Sequence, residues 1–150
     1  MKEKIIALYI RLSVEDRDLD ELKTASVSIQ NQKVHLRNFL MCHPETASGE
    51  IREFIDDGYT GTNMDRPAFQ EMMKLAREEQ ISCIVVKDFS RFGRNYLEVG
   101  NYLEQIFPLL GIRFISVDDG YDSKQNQGDV LVWISFLKIS YMTTIVRNYQ

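Results

Sequence analysis

The sequence predicts an α/β fold, with a mainly parallel central sheet and helices on both faces. Three observations carry this. Apolar runs of strand length recur at Ile5–Ile10, Ile51–Ile55, Ile81–Val86 and Ile112–Val117. Longer stretches with apolar residues at helical spacing lie between them. Each strand run also ends in a polar, turn-rich segment, so the chain reads β-α-β-α-β-α-β-α. Crossovers of helical length between successive strands are what parallel pairing requires.

The first strand, Ile5–Ile10, is followed by Arg11 and Ser13, and the polar segment Glu15–Glu21 then breaks any regular pattern. In open α/β sheets ligands bind beyond the C-terminal ends of the strands. Residues two apart on an extended chain share a face, so Arg11 and Ser13 point the same way. The plainer reading, with Ser13 a helix cap and Arg11 a surface charge, stays open at this level. Ser26–Met41 has helical spacing, with Val27, Ile29, Val34, Leu36, Phe39 and Leu40 as its apolar stripe, and His43-Pro44 ends it. Ile51–Ile55 is closed by Asp56-Asp57-Gly58, and a polar loop runs to Asn63. Arg66-Pro67 opens a helix to about Gln80, with Phe69, Met72, Met73 and Leu75-Ala76 inward. Ile81–Val86 is apolar throughout, as a central parallel strand should be. Lys87 to Asn95 follows at its end, then a helix from Tyr96 to Leu110 stopped by Gly111. After Ile112–Val117 comes the turn Asp118-Asp119-Gly120, a polar loop over Tyr121–Gly128, and a last helix from about Asp129.

That last helix leaves almost no polar face over Val130–Met142. Such a helix must be covered on more than one side, and one small sheet covers one side only. A partner chain is expected on the other, the alternative being a helix plugged into its own domain. The 150 residues fit one domain with a real core, and 44% hydrophobic with 27% charged residues is an ordinary globular balance. No apolar run is long enough to span a bilayer, and Met1-Lys2-Glu3-Lys4 opens no signal-peptide core, so a cytoplasmic location is expected. Cys42 and Cys83 show neither disulfide-framework nor metal-ligand spacing, and Cys83 reads as a buried strand thiol. His35 and His43 have no second ligand type at zinc spacing. The net charge of −4 runs against the basic face usual for nucleic-acid binding.

Three strand ends carry chemistry: Arg11 and Ser13 on the first, Asp57 with Asp56 and then Arg66 on the second, Arg91 and Arg94 on the third. Parallel strands bring these ends to one edge. If Ser90 caps a helix, Arg91 and Arg94 share its first turn. Arginine stays charged and binds phosphate bidentately. A serine hydroxyl is a weak nucleophile until something favours its alkoxide and the charge that develops on phosphorus, and guanidiniums can do both without a metal. A Ser-His-Asp hydrolase is disfavoured, because neither histidine lies at a strand end and no Gly-x-Ser-x-Gly elbow occurs. The lack of a Gly-x-x-x-x-Gly-Lys loop argues against a nucleoside triphosphatase. Asp56-Asp57 and Asp118-Asp119 could be read as metal ligands of a nuclease or topoisomerase-like domain. A non-catalytic α/β module dimerising through the last helix is the other alternative. Asp57 could also be only a turn former, Gln30 an exposed helix residue, and Arg66 a surface partner of Asp65.

Tyr9-x-Arg11-x-Ser13, Ser28-Ile29-Gln30, Asp57-Gly58-Tyr59-Thr60-Gly61 to Arg66-Pro67, and Ser90-Arg91-Phe92-Gly93-Arg94 together resemble the catalytic domain of serine recombinases, the resolvase/invertase family. The Asp57–Thr62 loop and Phe92–Tyr96 are most similar to the large serine recombinases of conjugative transposons and phages. The resemblance covers about residues 4 to 137, with four motifs in order. It implies a site-specific DNA recombinase in which Ser13 attacks the phosphodiester, joins a 5′-phosphate and frees a 3′-hydroxyl. It implies that Arg11, Arg91 and Arg94 bind the scissile phosphate, that Arg66 assists, and that Gln30 and Asp57 organise the site. It implies double-stranded DNA as partner, homodimers that pair into a synaptic tetramer, and no cofactor, since the phosphoserine bond conserves the phosphodiester's energy without ATP or a metal. Residues 1–128 would then be the catalytic domain and 129–150 a dimerisation helix cut short, with the DNA-binding domain absent. On that reading the chain is a fragment or truncated product that binds DNA weakly by itself, which accounts for the acidic charge. The chain departs from the pattern at one place: many relatives have Asp directly before the first arginine of the last motif, where Ser90 stands here, with Asp88 two residues earlier.

Overall fold

The computed structural model describes residues 3–12, 21–46, 48–57, 66–93 and 95–125, with backbone alone over 21–26. Strand β1 (Ile5–Leu12) leads into helix α1 (Glu21–Cys42), and a 3₁₀ turn at Pro44–Thr46 precedes β2 (Glu50–Asp57). Helix α2 (Pro67–Arg77), strand β3 (Ile81–Val86) and the single turn α3 (Phe89–Phe92) follow. Next come α4 (Tyr96–Asn101), a π-helical turn at Tyr102–Ile106, α5 (Phe107–Leu110), β4 (Arg113–Ser116) and β5 (Tyr121–Asp122). The sheet order is β2-β1-β3-β4-β5. The first four strands are parallel and β5 returns antiparallel. The predicted fold class holds.

Alternation along β1 builds two cores. Ile5, Ala7 and Tyr9 face α2 and the α4–α5 run, joining Phe69, Met72, Met73, Phe92, Phe107 and Phe114. Ile6, Leu8 and Ile10 face α1, joining Leu36, Leu40, Cys83 and Val85. Both sides of β1 are therefore dry, as a central parallel strand requires. Cys83 is buried as expected, and burial pushes its thiol up to about 12. Gly49 lies so close to β1 that a Cβ there would meet the Lys4 carbonyl oxygen at 2.3 Å.

Several expectations need correction. Helix α1 begins at Glu21, and among its described side chains the buried ones are Gln32, Leu36 and Leu40, four apart. Val27 and Val34 are 57% and 56% exposed, because a stripe at spacing four leaves them off the sheet side. Strand β2 continues through Asp56 and Asp57 instead of stopping at Ile55. Helix α2 stops at Arg77, and a turn with Glu79 at φ 60° leads to β3. The helix from Tyr96 to Leu110 widens into a π turn just before Pro108. Proline lacks the N–H for the carbonyl four residues back and crowds it, and a local i→i+5 turn relieves both. Gly111 ends that run at φ 67°, as predicted. The polar segment after Gly120 holds the two-residue strand β5. The loop at 58–63, Ser13, Arg94 and the final helix lie outside the described residues. Among the described residues no helix is long and apolar enough to cross a membrane.

Candidate active site

With β2 and β3 on opposite sides of β1, the chain reverses its direction of progress between β1 and β3. The crevice beyond that pair is the switch point where α/β sheets bind ligands. Arg11 lies on one side of it and Arg91 on the other.

The turn α3 is built to present Arg91 there. Phe89 and Phe92, three apart, point into the core: Phe92 sits 5.5 Å from Phe69 and Tyr102 and 5.1 Å from Phe114, ring centre to ring centre. Ser90 and Arg91 are left facing the strand ends. Asp88, not Ser90, caps the turn: its Oδ1 accepts from the Arg91 amide at 3.0 Å and from the Ser90 hydroxyl at 2.6 Å. Asp119 accepts from the Phe89 amide at 2.9 Å and from the Ser116 hydroxyl at 2.5 Å.

Arg11 is fully buried. It donates from Nη2 to the Ser90 carbonyl at 2.8 Å and from Nε to the Arg91 carbonyl at 3.2 Å. Arg91 returns a bond from Nη1 to the Arg11 carbonyl at 3.3 Å. Gln32 of α1 donates to that same carbonyl at 3.4 Å. The last turn of β1 is thus gripped from α3 and from α1, one residue before Leu12 and two before Ser13 in sequence.

Arg66 is also fully buried. Its guanidinium lies over the rings of Tyr9 (5.2 Å) and Phe69 (4.8 Å) and donates to the Phe92 carbonyl at 2.6 Å. Burial pulls its pKa down, while nearby Tyr9 and Asp56 act the other way. Asp56 is buried and accepts from the Tyr9 hydroxyl at 2.8 Å and from the Ala68 and Phe69 amides at 2.9 and 3.0 Å. It therefore serves the orphan amides of α2's first turn from a neighbouring strand. Tyr9 is pushed up, first by burial and then by the Asp56 carboxylate, with Arg66 opposing.

The structure therefore brings Arg11, Arg91 and Arg66 to one rim. Asp57 ends β2 opposite Leu12 and is exposed, and Gln30 lies on the exposed side of α1. Sequence reasoning passed over Gln32 and Lys87, and it weighed Asp56 and Asp118 as metal ligands rather than as the structural partners they are. Gln32 could have been found as the polar member of the Gln32-Leu36-Leu40 stripe. Asp56 could have been found by carrying the β2 alternation two residues past Phe54. The acidic pairs are engaged within the fold: Asp56 as above, and Asp118 with Lys87 at 2.9 Å and His35 at 2.7 Å. Among the described residues no cluster of three His, Cys, Asp or Glu side chains is placed to hold a metal ion.

The fold is shared with known proteins. The catalytic domain of TP901-1 integrase superposes with a TM-score of 0.66 at 18% identity, over 98% of this chain and 99% of that one. A resolvase-family site-specific recombinase from Streptococcus pneumoniae gives 0.63 at 24% identity, over 96% and 93%. The transposon Tn917 resolvase of Enterococcus faecalis is 30% identical over 105 residues, 69% of this chain and 52% of that protein, so the chain spans about half the length of this curated relative. The family model for the resolvase N-terminal domain matches residues 6–138. That match covers most of the sequence, and the chain belongs to the resolvase N-terminal domain family.

Proposed function

We propose that the chain is the catalytic domain of a site-specific DNA recombinase. Ser13 is the nucleophile; Arg11, Arg91 and Arg94 bind the scissile phosphate; Arg66 and Asp57 assist. The organising amide is Gln32, whose side chain reaches the β1 end, while Gln30 lies exposed. The supporting observation is the reciprocal bonding of Arg11 and Arg91 across the switch point, immediately before Ser13 in the chain.

Ser13 Oγ attacks phosphorus and gives up its proton. One P–O ester bond breaks as another forms, and the departing 3′ oxygen gains a proton. The products are a 5′-phosphoserine and a free 3′-hydroxyl, so the reverse step needs no ATP. Guanidiniums supply the positive charge at the phosphoryl group that a metal supplies elsewhere, and loss of an arginine in that role costs about 10³–10⁵ in rate. Homodimers pairing into a tetramer on double-stranded DNA, in the cytoplasm, complete this reading.

The test incubates the full protein with a nicked substrate carrying its site, in EDTA. A covalent protein–DNA adduct that Ser13→Ala abolishes is expected. Cleavage that EDTA stops would instead identify a metal-dependent nuclease. Dimers without any chemistry would identify an interaction module.

A further inference from the structure

A second polar chain runs behind the arginines. Lys87, the first residue after β3, sets its ammonium 2.9 Å from Asp118 Oδ2 and 3.4 Å from Asp88 Oδ2. Asp118 Oδ1 meets His35 Nε2 of α1 at 2.7 Å. Asp88 Oδ1 caps α3 through the Arg91 amide and the Ser90 hydroxyl. His35 lies one turn along α1 from Gln32, which holds the Arg11 carbonyl. Arg11 in turn holds the carbonyls of Ser90 and Arg91. The bonds close a ring: α1, Asp118, Lys87, Asp88, α3, Arg11 and back to α1. Lys87, Arg91, Gln32, His35 and Asp118 line a cavity of about 390 Å³ inside it.

We propose that Lys87 is a positioning residue for strand cleavage: by bridging Asp118 and Asp88 it fixes the α3 turn, and with it Arg91, against the end of β1. This rests on the recombinase reading. Asp88 caps α3 with one oxygen and meets Lys87 with the other, so the ammonium fixes which way the cap faces. Asp118 anchors the ammonium to the turn after β4, and His35 ties Asp118 to α1. The ammonium is spent on two carboxylates, which argues against a phosphate as its partner. Asp118 raises the Lys87 pKa, and although burial opposes the Asp118 charge, Lys87 and His35 outweigh it and hold that carboxyl low. The bridge is therefore ionised on both sides at neutral pH.

The test compares wild type, Lys87→Met, Lys87→Arg, Asp118→Asn and the double variant Lys87→Met/Asp118→Asn in the full protein. Two measurements are made: single-turnover adduct formation over a range of DNA concentrations, and amide exchange over Phe89–Gly93. Lys87→Met should lower the maximal rate, up to about 10²-fold for a displacement near 1 Å. The DNA concentration for half-saturation should hold, and exchange at Arg91 should quicken. Lys87→Arg should recover most of the rate, and the double variant should lose little more than Lys87→Met alone. A raised half-saturation at unchanged maximal rate would overturn the proposal in favour of a DNA contact. Unchanged rate and exchange would overturn it in favour of a solvated surface pair. If wild type forms no adduct, the recombinase reading falls, and the exchange data alone decide whether Lys87 holds α3.

Discussion

The Tyr9 hydroxyl donates to Asp56 Oδ2 at 2.8 Å, joining adjacent strands at the point where the same carboxylate also receives two α2 amides. Asp56 is therefore a splice between β1, β2 and α2. Removing it leaves three donors without an acceptor. At about 1–3 kcal/mol for each buried group left unmet, Asp56→Ala should lose at least about 3 kcal/mol in urea unfolding. Tyr9→Phe removes one donor and should lose about 1 kcal/mol. A change below about 0.5 kcal/mol would mean that these three bonds contribute little to the fold.

Gln32 and Gln30 lie two residues apart on α1 and differ in burial. Only Gln32 is buried and reaches the Arg11 carbonyl. Gln32→Ala should slow adduct formation by about 10- to 100-fold, since the β1 end loses its side-chain hold from α1. Gln30→Ala should cost distinctly less. Equal losses, measured in one single-turnover series, would mean that the grip on the β1 end does not matter to the chemistry.

That pair also shows what the sequence discloses. Strand runs, crossovers and the convergence of Arg11, Arg66 and Arg91 on one rim follow from periodicity and parallel pairing, and each is legible. Which of two nearby polar residues turns inward depends on phase. The α1 phase was blurred by Val27 and Val34, apolar residues that end up exposed. The Asp56/Asp57 phase depends on whether β2 stops at Ile55 or pairs through Leu12↔Asp57, and only β1 decides that. The Lys87–Asp118 bridge joins residues brought together by β3–β4 pairing, with no local signal.

The hairpin β4–β5 should be sensitive to acid. Arg113 donates to Asp122 from Nε at 2.9 Å and also from Nη2. Burial raises the Asp122 pKa, but the Arg113 bonds and the Lys124 amide outweigh it, and the carboxyl is held low. A carboxylate depressed on folding stabilises the fold above its unfolded value of about 3.9 and stops doing so as pH falls through the folded value. Stability should thus decline below about pH 4, and Asp122→Asn should remove that part of the decline. Chemical denaturation from pH 6 to 2.5 on both proteins checks this; parallel curves would show that the pair contributes nothing to the acid limb.

Glu79 holds φ 60° in the turn after α2, where the Gln80 amide bonds back to the Leu75 carbonyl at 3.0 Å. A side chain in the left-handed region is strained by roughly 1 kcal/mol, which glycine avoids, less what its freer unfolded chain gives back. Glu79→Gly should stabilise by a few tenths of a kcal/mol, up to about 1. A lower Tm would mean that the Glu79 side chain makes contacts that outweigh the strain.

Arg66 is where stability and chemistry are hardest to separate. Its guanidinium is fully buried over Tyr9 and Phe69 and bonded to the Phe92 carbonyl, so it supports the α3 turn from below while belonging to the proposed phosphate site. Lysine keeps the charge but loses the planar stacking and the fork of donors. Arg66→Lys should therefore destabilise by about 1–2 kcal/mol, and it should slow adduct formation even well below its own Tm. If the rate recovers fully once the variant is folded, as judged by circular dichroism at the assay temperature, Arg66 is structural only. A rate deficit that survives under those conditions ties the buried cation to the reaction through the backbone that carries Arg91.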